Sequence, residues 1–287
     1  MAVGKIIHTW FEGDWHEGNP AVMRAADHGT WLGTLVFDGA RAFDGLVPDL
    51  VPHMERVNNS ARVMGLEPTR TTEELCTLVH EGLGRFAPGA AVYIRPMYWS
   101  TEGGAGVIIA DPESTAFCLC LEEIPMPPPD ATQTLCRTRY VRPLLATAPV
   151  NAKAACLYPN NARMIGEAQA RGYSNALVAD MLGNVAETAT ANIFMVKDGH
   201  VRTPIPNGTF LNGITRQRII ALLRADGTEV EECTLTFDDF LAADEVFMTG
   251  NLSKVTPVVK FEDREYPVGP VAKRARTLYW DWAKSGS

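Results

Sequence analysis

The 287-residue sequence has no Cys-x-x-Cys pair, no internal repeat, no low-complexity tract and no long run of one charge. No apolar stretch approaches the roughly 20 residues of a membrane helix, which excludes a helical span. The N-terminal residues carry no apolar segment followed by a cleavage site, so no signal peptide is expected. Positive charge is scarce: 26 Lys and Arg face 34 Asp and Glu, giving a net charge of −8. Nucleic acid is therefore a poor partner, because phosphate backbones reward a concentrated positive field. The cysteines Cys76, Cys118, Cys120, Cys136, Cys156 and Cys233 are expected to be buried free thiols in a reducing cytoplasm. What is present is globular: 46% hydrophobic and 21% charged residues can bury a core without disulfides or metals. The composition describes a soluble, acidic, cytoplasmic protein with the character of an enzyme.

The clearest seam is Ile124-Pro125-Met126-Pro127-Pro128-Pro129-Asp130. Its prolines cannot continue a helix or a central strand, and they stiffen an extended connector. A small α/β domain over residues 1–123, a linker over 124–133 and a larger, strand-rich domain over 134–287 follow. Within the first part, His8, Trp10, Phe11 and Trp15 suggest a hairpin, and Thr34–Phe43 reads as a strand broken at Gly39. Met54, Val57, Ala61 and Met64 fall at helical spacing. Thr71-Thr72-Glu73-Glu74 offers a capping box, and Ala91–Ser100 and Thr115–Glu123 read as strands. Within the second part, Asn192–Val196 and His200–Thr203 should pair around the turn Asp198-Gly199. Helices are expected over Asn161–Arg171, Thr215–Ala225 and Pro270–Lys284. The remaining strands are Thr134–Tyr140, Asn175–Asp180, Glu229–Leu235, Val246–Thr249 and Val255–Phe261. The fold class is α+β.

Four places can carry chemistry. Lys153 is the sole charged residue between Pro143 and Pro159. If desolvated there, its amine would lose protonation and become a nucleophile for a carbonyl; otherwise its stem packs and its head reaches water. Glu187 stands alone in Gly183-Asn184-Val185-Ala186-Glu187-Thr188-Ala189-Thr190-Ala191, just before a strand. It could hold a proton on a ring nitrogen or be an exposed turn carboxylate. Leu211-Asn212-Gly213-Ile214-Thr215-Arg216 runs into a helix whose first N–H groups suit a phosphate, and Thr249-Gly250-Asn251-Leu252-Ser253 is a second such turn. Tyr93 and Arg95 share a strand face, where the guanidinium either receives a carboxylate as a fork or stacks structurally. Arg41 and Arg56 are similar candidates.

Their order along the chain is more telling than any one of them. Arg56, Tyr93-x-Arg95, Lys153-x4-Tyr158, Glu187-x4-Asn192-x-Phe194, Gly213-Ile214-Thr215-Arg216 and the Gly250 turn together resemble the fold-type IV (class IV) pyridoxal-phosphate aminotransferases. Val36-Phe37-Asp38-Gly39-Ala40-Arg41, His53-Met54-Glu55-Arg56 and Ala243-Asp244-Glu245-Val246-Phe247 add to the likeness. It covers roughly residues 5–284 and is closest to the branched-chain amino acid aminotransferases. The resemblance implies a two-domain fold like that of D-amino-acid aminotransferase and a pyridoxal 5′-phosphate cofactor. It implies that Lys153 is the residue bound covalently to that cofactor and the acid and base of the proton shift. Glu187 would pair with the pyridine nitrogen, and Tyr158 would hydrogen-bond the ring oxygen. Arg56 would clamp the phosphate with the Ile214 and Thr215 N–H groups and the Gly250-Asn251 turn. At least a homodimer is implied, with Trp31–Phe43 and Tyr98–Ile109 as candidate contacts.

Departures from the family pattern fall in the substrate pocket. Leu32 stands where branched-chain enzymes usually carry a Tyr that helps hold the substrate carboxylate. Gly250-Asn251-Leu252 replaces their Gly-Thr-Ala turn, and Cys156-Leu157-Tyr158 replaces a Gly-rich stretch. Arg95 is retained, which favours a carboxylate-bearing substrate, with Arg41 as a second cation or a replacement. The expected activity is amino transfer between an amino acid, branched-chain first, and a 2-oxo acid. The alternatives are an (R)-selective amine or D-amino-acid transaminase, and then aminodeoxychorismate lyase.

Overall fold

The structure is a computed structural model that describes residues 4–286. By contacts the chain divides into two units: one runs to Met126 and also takes Asn151–Leu157, and the other comprises Pro127–Val150 and Tyr158–Gly286. The sequence reading placed Lys153 in the C-terminal part. Its segment instead groups with the first unit, because Ala152 and Ala154 are packed in that unit's core and Ala154 bridges Val36.

In the first unit, β1 (Ile7–Phe11), β2 (Asp14–Glu17), β3 (Leu35–Phe37), β4 (Ala40–Ala42), β5 (Val92–Ser100) and β6 (Thr115–Glu123) form one sheet. Its order is β2-β1-β6-β5-β3, with β4 also on β5, and its pairs are antiparallel. Alternation sets its faces: Val92, Ile94 and Tyr98 are buried, whereas Tyr93, Arg95 and Met97 are only half-buried. After the short α1 (His28–Trp31), the helices α2 (Leu50–Val63) and α3 (Thr72–Leu83) cover the buried side. Met54, Val57 and Ala61 of α2 are fully buried, each large side chain contributing roughly 1.5–3 kcal/mol. In α3 the expected capping box forms, with Thr71 accepting from the Glu74 N–H and Glu74 accepting from the Thr71 N–H.

In the second unit, β7 (Gln133–Arg137), β8 (Asn175–Ala179), β9 (Val185–Thr188), β10 (Asn192–Lys197), β11 (His200–Pro204), β12 (Val230–Cys233), β13 (Glu245–Gly250) and β14 (Lys254–Phe261) make a mixed sheet. Its order is β12-β11-β10-β13-β14-β7-β8-β9, and β15 (Arg264–Glu265) pairs with β14. The β10–β11 hairpin closes with Lys197 opposite His200, and both turn residues, Asp198 and Gly199, have positive φ, as the primed turns require. Helices α4 (Tyr158–Ala170), α5 (Ile214–Ala225), α6 (Phe237–Leu241) and α7 (Pro270–Lys284) complete the unit. Helix α7 begins at Pro270 as expected, but its cap comes from afar: buried Glu245 of β13 accepts from the Val271 and Ala272 N–H groups. Burial raises the Glu245 pKa against those hydrogen bonds and the nearby Lys273 charge.

Several expectations change. Glu187 stands just ahead of β10, as expected, but in a short strand of its own, β9. Cys118, Cys120 and Cys136 are buried free thiols, but Cys156 is exposed and Cys76 and Cys233 are half-buried. Among the described residues, no helix is long and apolar enough to cross a membrane.

Candidate active site

In the second unit, β9, β10, β13 and the start of α5 bring the expected cofactor residues together. Glu187 is 8% exposed. Its Oε1 receives Arg142 Nη2 at 2.7 Å, and its Oε2 receives Asn192 Nδ2 at 3.3 Å. Arg142 is itself locked, donating to Asn161 Oδ1 at 2.6 Å and to the Thr209 carbonyl at 3.4 Å. The carboxylate is thus held by donors on two sides and is no loose turn residue.

Asn192 also donates to the Leu211 carbonyl at 3.0 Å, which ties the carboxylate to the loop entering α5. Gly213 precedes that helix, and a Cβ there would fall 2.1 Å from Asn192 Oδ1. Only glycine fits the approach. Gly213 brings no side-chain cap, so the first N–H groups of α5, at Ile214 and Thr215, are available to an anion. Arg216, fully buried, braces the loop through Asn212 Oδ1 at 2.8 Å, the Pro204 carbonyl at 2.8 Å and Glu232 at 2.9 Å. Thr249 sits opposite Asn192 in the β10–β13 register. Its hydroxyl and the Asn251 amide nitrogen are buried without a hydrogen-bond partner among the described residues. Buried polar atoms are normally satisfied, so these donors fit a phosphate group. Tyr158 opens α4 and is 37% exposed, and Leu252 is 52% exposed.

In the first unit, Lys153 is flanked by the fully buried Ala152 and Ala154. Its backbone N–H donates to Ser60 Oγ at 3.0 Å, and its carbonyl receives the Phe37 N–H at 3.1 Å. Its Nζ lies 5.0 Å from the centre of the Phe37 ring. The amine therefore rises from a clamped backbone over an aromatic face.

The arginines of this unit behave less uniformly than expected. Arg56 forks onto Asp38, with Nε 2.6 Å from Oδ2 and Nη2 2.9 Å from Oδ1. His53 Nδ1 reaches the same Oδ1 at 2.7 Å. Burial alone would raise the Asp38 pKa, but the Arg56 and His53 charges and hydrogen bonds outweigh it and hold the carboxyl well below the usual range. Arg95 Nη2 donates to buried Glu122 at 2.6 Å, and the guanidinium lies 5.0 Å from the Tyr93 ring centre. Burial would lower its pKa, and Glu122, with Tyr93 and Cys120, raises it instead. The expected fork for a substrate carboxylate is thus partly filled by the protein's own acid.

Arg41 is fully buried in β4, and its Nε and Nη1 have no hydrogen-bond partner among the described residues. Its Nη2 donates to the Ile124 carbonyl at 2.6 Å and to Met126 Sδ at 3.0 Å. Burial pushes the guanidinium down to about 10, with Tyr93 opposing. All three residues of β4 are buried, so strand alternation gave no exposed position for it. Leu32 ends α1 and is half-buried. The sequence reading missed Arg142, Asp38 and Glu122 as partners. Asp38 and Glu122 could have been suspected as carboxylates inside otherwise apolar strand patterns, whereas Arg142 gave no local signal.

The amino-transferase class IV family pattern matches residues 35–261. The chain belongs to that family. The putative branched-chain-amino-acid aminotransferase of Methanocaldococcus jannaschii is 32% identical over 285 residues, covering 96% of each chain. Among solved structures, an aminotransferase from Brucella abortus bound to the co-factor PLP is 56% identical, with a TM-score of 0.96 and coverage of 98% of this chain and 100% of that one. The branched-chain aminotransferase of Thermoproteus uzoniensis, with norvaline, is 28% identical at a TM-score of 0.89, over 98% and 96%.

Proposed function

We propose that the protein is a pyridoxal-phosphate-dependent transaminase that moves an amino group between a branched-chain amino acid and a 2-oxo acid. The observation that carries this reading is the second unit's constellation. A buried, doubly held carboxylate and an anion-receptive helix start are joined through Asn192, on a chain of the class IV family. The names of the relatives support the branched-chain preference.

Bound pyridoxal phosphate supplies an electron sink for the pair released when the substrate Cα–H bond breaks. The Lys153 amine would hold the cofactor covalently until the substrate amine displaces it and, once free, would move the proton from the substrate α-carbon. Glu187 would keep a proton at the ring nitrogen, with Arg142 and Asn192 fixing the carboxylate's direction. Tyr158 would donate to the ring oxygen. Arg56, the Ile214 and Thr215 N–H groups, Gly250 and Asn251 would hold the phosphate. Arg95, beside Tyr93, would attract the substrate carboxylate in competition with Glu122, and Leu32 and Leu252 bring apolar side chains where the family pattern has polar or small ones.

The engagement of Arg95 by Glu122 favours a second reading, an (R)-amine transaminase, whose amine donor brings no carboxylate to bind; a D-amino-acid transaminase is its neighbouring alternative. A donor-by-acceptor screen separates the two. Amino transfer from L-leucine to 2-oxoglutarate supports the first, and activity confined to (R)-1-phenylethylamine or D-amino acids supports the second. Assembly is at least dimeric on this reading. Trp31, Val107, Ile108 and Ile109 are 55–71% exposed, an apolar surface of the kind that marks protein contacts. An active species that sediments as a monomer would refute it. Free thiols at all six cysteines suit a reducing cytoplasm.

A further inference from the structure

The turn between β13 and β14 holds a cation that the chemistry above does not use. Lys254 pairs with Gly250 to close the turn. It has a φ of 63°, a left-handed conformation that side-chain-bearing residues avoid, and it is 1% exposed. Its ammonium lies 5.6 Å from the centre of the Tyr279 ring and donates to Asn251 Oδ1 at 2.7 Å. Backbone strain and the burial of an ammonium are both unfavourable, and both occur at this one residue.

The ammonium decides which way the Asn251 amide faces. An ammonium has only donors, so the amide must turn its oxygen to it. The amide nitrogen then faces the other way, where it is buried and lacks an acceptor among the described residues. The Thr249 hydroxyl, two residues earlier, is in the same condition. Thr249 pairs with Asn192, and Asn192 lies against Gly213 at the start of α5. Two unsatisfied groups therefore stand at the corner of the sheet where the anion-receptive helix begins.

We propose that Lys254 is a positioning residue of the phosphate site, orienting the Asn251 amide so that Nδ2 donates to the cofactor phosphate. This rests on the reading that pyridoxal phosphate binds here. Lys254 acts through Asn251 and does not touch the cofactor. An alanine at 251 removes the donor, and a methionine at 254 leaves the amide free to rotate.

The test uses full-length protein stripped of cofactor and titrated with pyridoxal phosphate and, separately, with pyridoxal, which lacks the phosphate. Lys254→Met and Asn251→Ala should each weaken pyridoxal phosphate binding about 10- to 100-fold, as the loss of one charge-assisted hydrogen bond does. Pyridoxal binding should stay at the wild-type value. In the Asn251→Ala background, Lys254→Met should add little, because both changes remove the same contact. Equal losses for the two ligands would make Lys254 structural and overturn the proposal, as would full additivity of the two substitutions. If Lys254→Met does not fold, Asn251→Ala alone still decides: an unchanged ratio between the two ligands refutes the donor. Wild-type protein that binds neither ligand refutes the cofactor reading itself, which separates the two failures.

Discussion

The two units handle anions in opposite ways. In the first, the guanidinium groups of Arg56 and Arg95 already hold buried carboxylates of the protein, Asp38 and Glu122. In the second, the Thr249 hydroxyl, the Asn251 amide nitrogen and the first turn of α5 have no side-chain partner among the described residues. Long charged side chains need an internal counter-charge to stay ordered when half-buried, because a buried charge without one is costly. A neutral donor costs less to bury than a charge. The lesson is that a strong cation in a sequence does not identify the anion it serves. In the second unit even the expected ring-nitrogen partner, Glu187, is oriented by a cation of its own, Arg142.

The largest expected effect falls outside this contrast and checks the frame around it. Lys153→Ala should abolish amino transfer and the visible absorbance of the lysine-bound cofactor. Borohydride reduction and peptide mapping of the wild type should label Lys153, and a label on another lysine would reject the assignment.

Breaking the first unit's charge pairing comes next. Asp38→Asn leaves Arg56 beside an amide and should destabilise the protein by about 3–5 kcal/mol at neutral pH. Because the folded pKa of Asp38 is depressed below its ordinary 3.8, its stabilisation is fully present above that value and is lost as the pH falls through it. Urea unfolding should therefore show the gap between wild type and variant begin to narrow below about pH 4 and keep shrinking as the pH falls further. A gap that stays constant down to pH 2 would mean that the carboxylate charge is not what matters.

Glu187→Gln probes the second unit. The variant should still bind the cofactor, with a half-reaction at least about a hundredfold slower, comparable to losing a preorganised electrostatic partner. An unchanged rate in stopped flow would remove Glu187 from the mechanism. The smallest effect is expected at Arg95, because Glu122 already occupies one edge. Arg95→Ala should cost about 2 kcal/mol in kcat/KM for 2-oxo acids, the low end for a partly desolvated carboxylate contact, and less for amines without a carboxylate. Equal losses on both substrate types would make Arg95 purely structural.

How much of this was legible beforehand depended on distance along the chain. Helix α7 could be bounded at both ends because Pro270 suits the first turn and the apolar spacing runs on to Lys284. The capping box of α3 and the Asp198-Gly199 hairpin are equally local. Lys153 stood out because its neighbours are small and uncharged. The partners of the charged residues did not stand out. Arg142 and Glu187 are far apart in sequence, and the Arg95–Glu122 pair exists only because β5 and β6 align Arg95 with Cys120. The burial of Arg41 was hidden for a related reason: β4 is buried on both faces, and alternation cannot reveal that. Strand register and layer packing, not composition, decide such pairs.

The most direct test of the account is amino transfer from L-leucine to 2-oxoglutarate by the purified protein loaded with pyridoxal phosphate. The account predicts formation of glutamate and 4-methyl-2-oxopentanoate, carried by alternation of the cofactor between its aldehyde and amine forms. Protein that binds the cofactor yet yields no glutamate from leucine, isoleucine or valine would contradict it.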